Sequence, residues 1–128
     1  YVGGKNSQAA AKLFKRYGIR TKILRNTKDA EALKLWDTTQ YGWMIILNKE
    51  IWNWCKKNKV NFDIVYQDTN KTYNAGYMKL GKKNVIRPNL IYMPGPIGGH
   101  CVIPNCDLLD SSVSKLIKSI NKKYQRNL

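Results

Sequence analysis

The sequence predicts a mainly α-helical chain with a small N-terminal βαβ remnant, and three observations predict it. Residues 1–25 read as strand, helix and strand. From Asn26 to Lys59 the pattern is helical and nothing clearly interrupts it. A final apolar stripe, Leu109, Val113, Leu116, Ile117, Ile120 and Tyr124, recurs at helical spacing after a loop rich in proline and glycine. The expected organisation is a βαβ remnant of a Rossmann-like unit over 1–25 and an all-helical domain over 26–128.

Taken in order, Tyr1 to Gly4 is a short strand end running into a turn. Ser7 is expected to cap a helix from Gln8 to Tyr17, with Ala10, Leu13, Phe14 and Tyr17 on its apolar face. Gly18 stops that helix as the residue after its cap, and Arg20 to Leu24 alternates like a strand. A strand-helix-strand unit of this length resembles the closing turn of a parallel sheet. Two strands do not stand alone, so the unit is expected to complete a sheet built elsewhere.

Asn26 or Thr27 caps the next helix, and Asp29 and Glu31 lie in its first turn, where the helix dipole favours negative charge. Lys56, Lys57 and Lys59 suit its far end. Gly42 is its one interior glycine, a cost of about 1 kcal/mol relative to alanine. About 33 residues at about 1.5 Å each give a helix near 50 Å, longer than a globule of this size is wide. Its middle, Trp43 to Leu47 and Ile51 to Cys55, is apolar on nearly every side. Such a helix has to be covered by other helices or by a second copy, and a homodimer through residues 27–59 is expected.

Asn61 or Asp63 starts a further helix that frays near Asn70. Tyr73 to Leu80 adds a turn or two closed by Gly81, and Arg87 to Tyr92 is extended. Then comes Met93-Pro94-Gly95-Pro96-Ile97-Gly98-Gly99-His100-Cys101-Val102-Ile103-Pro104-Asn105. Pro94, Pro96 and Pro104 fix φ and remove backbone donors, which excludes a central strand or a helix interior. Gly95, Gly98 and Gly99 permit positive φ or close approach of a ligand to the backbone. The segment reads as a stiff, glycine-hinged loop delivering Cys101 to the start of a helix that runs from about Asn105 to Gln125. At that position unpaired amides and the dipole favour an anionic sulfur. A lone cysteine is also commonly a small buried hydrophobe, and residue chemistry alone leaves both readings open.

The 23 Lys and Arg against 8 Asp and Glu give a net charge of +15, a balance that suits nucleic acid, nucleotide phosphates or other polyanions. The charges are dispersed, the densest groups being Lys56-Lys57-Asn58-Lys59, Lys82-Lys83 and Lys122-Lys123, and no nucleic-acid-binding signature accompanies them. Three cysteines without paired spacing argue against a secreted disulfide framework, and one histidine with few carboxylates offers no metal-ligand set. No apolar run reaches the length of a membrane span, so no membrane partner is expected. The reducing cytoplasm is the expected compartment. The chain starts at Tyr1 rather than Met, as a fragment or a processed product would.

Gly98-Gly99-His100-Cys101-Val102-Ile103-Pro104 resembles the active-site segment of the UDP-glucose/GDP-mannose dehydrogenase family. Ala30-Glu31-Ala32-Leu33-Lys34-Leu35, followed by Glu50 and Cys55, resembles that family's long central helix. The likeness covers nearly the whole chain: residues 1–25 correspond to the close of the cofactor domain, and the rest to the helical dimerisation domain. The resemblance implies NAD-dependent oxidation of a nucleotide-sugar alcohol to a carboxylate. In that scheme a cysteine captures the aldehyde as a thiohemiacetal, and a thioester forms and is hydrolysed. Cys101 matches the nucleophile, and Lys34 the lysine that holds the substrate oxygen. Gly98 and Gly99 match the loop by which backbone approaches the sugar, with His100 beside them. Two positions depart: Thr38 stands where the family has Asn, and Asn105 where it has Asp. No Gly-x-Gly-x-x-Gly follows an opening strand, so the dinucleotide fingerprint is missing. A separate or missing cofactor domain is therefore expected, and the chain alone is expected to be inactive.

Plainer readings stand beside these. Lys34 fits an ordinary snorkelling helix lysine equally well, Asn105 an N-cap, and His100 a loop-packing residue. The four tryptophans fit core or dimer interface, and Cys55 and Cys106 fit structural roles. Two other function classes follow from the same sequence: a non-catalytic basic helical module binding nucleic acid or another polyanion, and a structural dimerisation domain.

Overall fold

Asn26 starts the central helix. Its side-chain Oδ1 accepts the Asp29 amide at 2.8 Å, an N-cap at the expected place. In a computed structural model, which describes residues 1–125, this helix (α2) runs Thr27–Asn58 and ends where Lys59 adopts a left-handed conformation. The last residues of the expected helical domain, 126–128, lie outside the described residues.

Before α2, β1 (Val2–Gly3) and β2 (Ile23–Leu24) pair in parallel, Val2 with Ile23 and Gly3 with Leu24, across α1 (Ser7–Arg16). The βαβ unit thus forms, with shorter strands than the alternation predicted. Ser7 is the first helical residue rather than the cap; Asn6 holds the cap position and makes no side-chain bond there. No residue of α1 is buried, and Leu13, Phe14, Tyr17, Ile19 and Ile23 are all exposed. The apolar face predicted for this helix is real but uncovered.

After α2, a π-helical turn over Asp63–Asp68 passes directly into α3 (Thr69–Lys79). The expected fraying at Asn70 does not occur. The Thr69 hydroxyl bonds the Ile64 carbonyl five residues back at 2.8 Å, and Asn70 is buried. The extended stretch 87–90 lies against this element. Asn74 bonds both backbone polar groups of Arg87, and Gln67 donates to the Leu90 carbonyl.

The final helix expected from Asn105 to Gln125 is two helices, α4 (Val102–Leu108) and α5 (Ser112–Gln125). The break has a local cause. Ser111 Oγ accepts the Ser114 amide at 3.1 Å, an N-cap that restarts the chain as α5 after the extended Leu109. Both helices pack on α2 around Ile46, Val102, Cys106 and Ile117, with Ile97, Ile103, Val113 and Ile120 at the margin. Gly42 makes this possible, since a Cβ there would collide with the Val102 methyl and reach Ile117 Cδ1 at 3.6 Å. The interior glycine of α2 marks a helix crossing, not a weak point.

Among the described residues, no helix is long and apolar enough to cross a membrane.

Candidate functional site

A pocket of about 920 Å³ opens between the middle of α2 and the segment 89–102. Asp37, Thr38, Tyr41, Asn48 and Lys49 form one wall, and Gly98, Gly99, His100 and Cys101 form part of the other. The loop is held in place residue by residue. Asn48 Nδ2 donates to the Leu90 carbonyl at 3.0 Å. Lys49 Nζ donates to the carbonyls of Met93 and Gly95, the latter at 2.7 Å. Asn121 of α5 accepts the Ile97 amide at 2.6 Å. The chain then turns at Gly99, whose φ of 78° suits glycine, and reaches Cys101 at the start of α4.

Cys101 is exposed, whereas Cys55 and Cys106 are buried. The Cys106 thiol lies 3.9 Å from Thr39 Oγ1, and burial pushes its pKa up. Of the three thiols, only Cys101 faces the pocket.

Thr38 and Asn105, the two positions that depart from the family pattern, meet. Asn105 Nδ2 donates to Thr38 Oγ1 at 2.9 Å, and the Thr38 hydroxyl in turn donates to the Lys34 carbonyl at 2.9 Å. A neutral amide and a hydroxyl thus pair where the resemblance implies an amide and a carboxylate. Asn105 lies within α4 rather than at its start, so it caps nothing. Lys34 connects to this pair only through its backbone. Its side chain is exposed and is not part of the pocket wall that Thr38, Gly98, Gly99, His100 and Cys101 share. His100 is exposed at the rim.

The residue that sequence reasoning missed is Lys49, 2% exposed and surrounded by α2, the loop and α5. Its ammonium lies 5.4 Å from the centre of the Tyr92 ring and 5.2 Å from that of Tyr124. Among the described residues no carboxylate pairs with it, and desolvation lowers its pKa. The signal was in the sequence: Gly42, Ile46 and Lys49 share one helix face, so a face that is core at Ile46 is core at Lys49. Nearby, the Tyr124 hydroxyl donates to Glu50 Oε1 at 2.9 Å and accepts from Asn53 Nδ2 at 2.6 Å. Burial, and then the Glu50 carboxylate, push its pKa up.

The turn after β1 packs closely on the start of α2, since a Cβ on Gly4 would meet the Thr27 methyl at 2.6 Å. Among the described residues there is no cluster of three or more His, Cys, Asp or Glu able to hold a metal ion. Compared with protein-family models, curated proteins and solved structures, the chain matches none.

Proposed function

We propose that this chain is the cysteine-bearing helical part of a nucleotide-sugar dehydrogenase-like enzyme, with Cys101 as its nucleophile. The observation that carries the reading is the placement of one exposed thiol, of three, at a helix start on the rim of a large pocket. A sugar aldehyde in that pocket would meet the Cys101 sulfur, which adds to the carbonyl carbon while the oxygen takes up a proton. The glycines at 98 and 99 leave open space beside their backbone, as a sugar-approaching loop requires. The NAD that the resemblance implies would be held by other polypeptide, consistent with the exposed apolar face of the βαβ unit.

The protein acts as a homodimer in this reading. Leu33, Trp36, Trp43, Leu47 and Trp54 recur at spacings of three, seven, four and seven along α2, and all are exposed. That spacing is one continuous stripe, the kind that a second copy buries.

Calorimetric titration with UDP-glucose, alongside a DNA duplex at rising salt, tests the proposal. Saturable UDP-glucose binding that exceeds DNA binding at about 150 mM salt supports it. Salt-sensitive DNA binding without sugar-nucleotide binding transfers the reading to a basic polyanion-binding module, and binding of neither leaves a structural dimerisation domain.

A further inference from the structure

Lys49 is the one strongly buried charge in the described chain, and the dehydrogenase resemblance gives it no role. A buried ammonium without a carboxylate is costly unless its donors are satisfied. Here two of its three donors meet the Met93 and Gly95 carbonyls, and two tyrosine rings lie within cation–π range of it. Those carbonyls flank Pro94, just ahead of the Gly98-Gly99 hinge. Pro94 and Pro96 have no amide to offer, so the loop cannot satisfy these carbonyls with a ladder of its own. A cation on α2 supplies what the loop lacks. Asn121 anchors the next residue pair from the other side, through the backbone of Ile97.

We infer that Lys49 is a positioning residue for the cysteine loop: its ammonium, by gripping the carbonyls either side of Pro94, fixes the segment that carries Cys101 against α2. The inference rests on the reading of Cys101 as the reacting thiol, and it adds a residue to that site. The role belongs to the charge and its donors, not to the bulk of the side chain. A neutral residue of the same length fills the space and leaves two carbonyls unpaired.

The test is hydrogen exchange of the peptide spanning 93–101 in the wild type, Lys49→Met and Lys49→Ala, with Cys101 alkylation measured in parallel. Lys49→Met is expected to accelerate exchange in this peptide about tenfold, and to change the alkylation rate of Cys101. Peptides of α5, and the protection of Cys55 and Cys106, should stay as in the wild type. In Lys49→Ala, added n-propylammonium should restore slow exchange where n-propanol does not, because the ammonium is charged and has donors for both carbonyls, whereas the neutral hydroxyl has one. Equal rescue by both, uniform acceleration across all peptides, or no change in 93–101 would each overturn the inference. If neither variant folds, amine modification of the wild type decides. Lys49 must react far more slowly than exposed Lys34, and equal rates would overturn the geometry. None of these readouts needs a sugar nucleotide, so a failure here is distinct from a failure of UDP-glucose binding.

Discussion

Asn105 Nδ2 lies 2.9 Å from Thr38 Oγ1, joining α4 directly behind Cys101 to the wall of the pocket on α2. The Thr38 hydroxyl has already committed its proton to the Lys34 and Leu35 carbonyls, so its lone pair accepts from Asn105 and the amide orientation is set. Thr38→Val and Asn105→Ala are each expected to lower stability by about 1 kcal/mol, with a coupling of about 0.5–1.5 kcal/mol in the double variant. Urea denaturation of the four proteins measures this, and strict additivity would show the bond to be idle.

At Gly42 two effects oppose each other. Alanine improves helix propensity by about 1 kcal/mol, but its Cβ collides with the Val102 methyl at the α2–α4 crossing. Overpacking of this kind costs about 1–3 kcal/mol, and it acts on backbone-anchored groups that cannot move freely. Gly42→Ala should therefore unfold at lower denaturant than the wild type; a higher midpoint would mean that α4 is loosely seated.

Alkaline stability should report on Tyr124. Its folded pKa lies above the unfolded value of about 10, so above pH 10 the unfolded chain loses a proton that the folded chain keeps. The stabilisation is thus complete below pH 10 and falls as pH rises further. Tyr92 acts in the same direction, and Cys106 does so from about pH 9. Lys49 acts oppositely, because its lowered pKa leaves the unfolded chain with more protons just below 10.5. Tyr124→Phe is expected to be less stable at pH 8 by about 1–2 kcal/mol, having lost its bonds to Glu50 and Asn53. The gap should narrow between pH 10 and 11 in denaturant titrations, and a widening gap would contradict the assignment.

The stripe on α2 predicts a concentration-dependent dimer. Sedimentation velocity should show a two-chain species for the wild type and a single chain for Trp43→Glu, which puts a charge at the middle of the stripe. A wild type that sediments as one chain at high concentration would remove the dimer from the proposal.

Much of the fold was legible because its signals are local. The Asn26 cap, the uninterrupted helical pattern to Lys59 and the Gly18 stop each depend on residues within a turn of one another. The break between α4 and α5 was missed because Ser111 and Ser114 compete with a continuous apolar stripe, and the stripe alone does not register a cap inside it. For the site, sequence order brought out Cys101 and Thr38 but not the packing that connects them. For Lys49 the helix face alone pointed to burial, but its partners did not show, because the loop carbonyls folded over it lie more than forty residues away in sequence.

The most direct test of the central claim is alkylation of Cys101 by iodoacetamide with and without UDP-glucose, read by peptide mass spectrometry. Cys55 and Cys106 serve as buried controls in the same sample. If the pocket beneath the loop holds the sugar end of a nucleotide sugar, the ligand slows Cys101 labelling saturably, and UDP alone slows it less. Labelling of Cys101 that is indifferent to UDP-glucose at millimolar concentration, with both controls still protected, would contradict the claim.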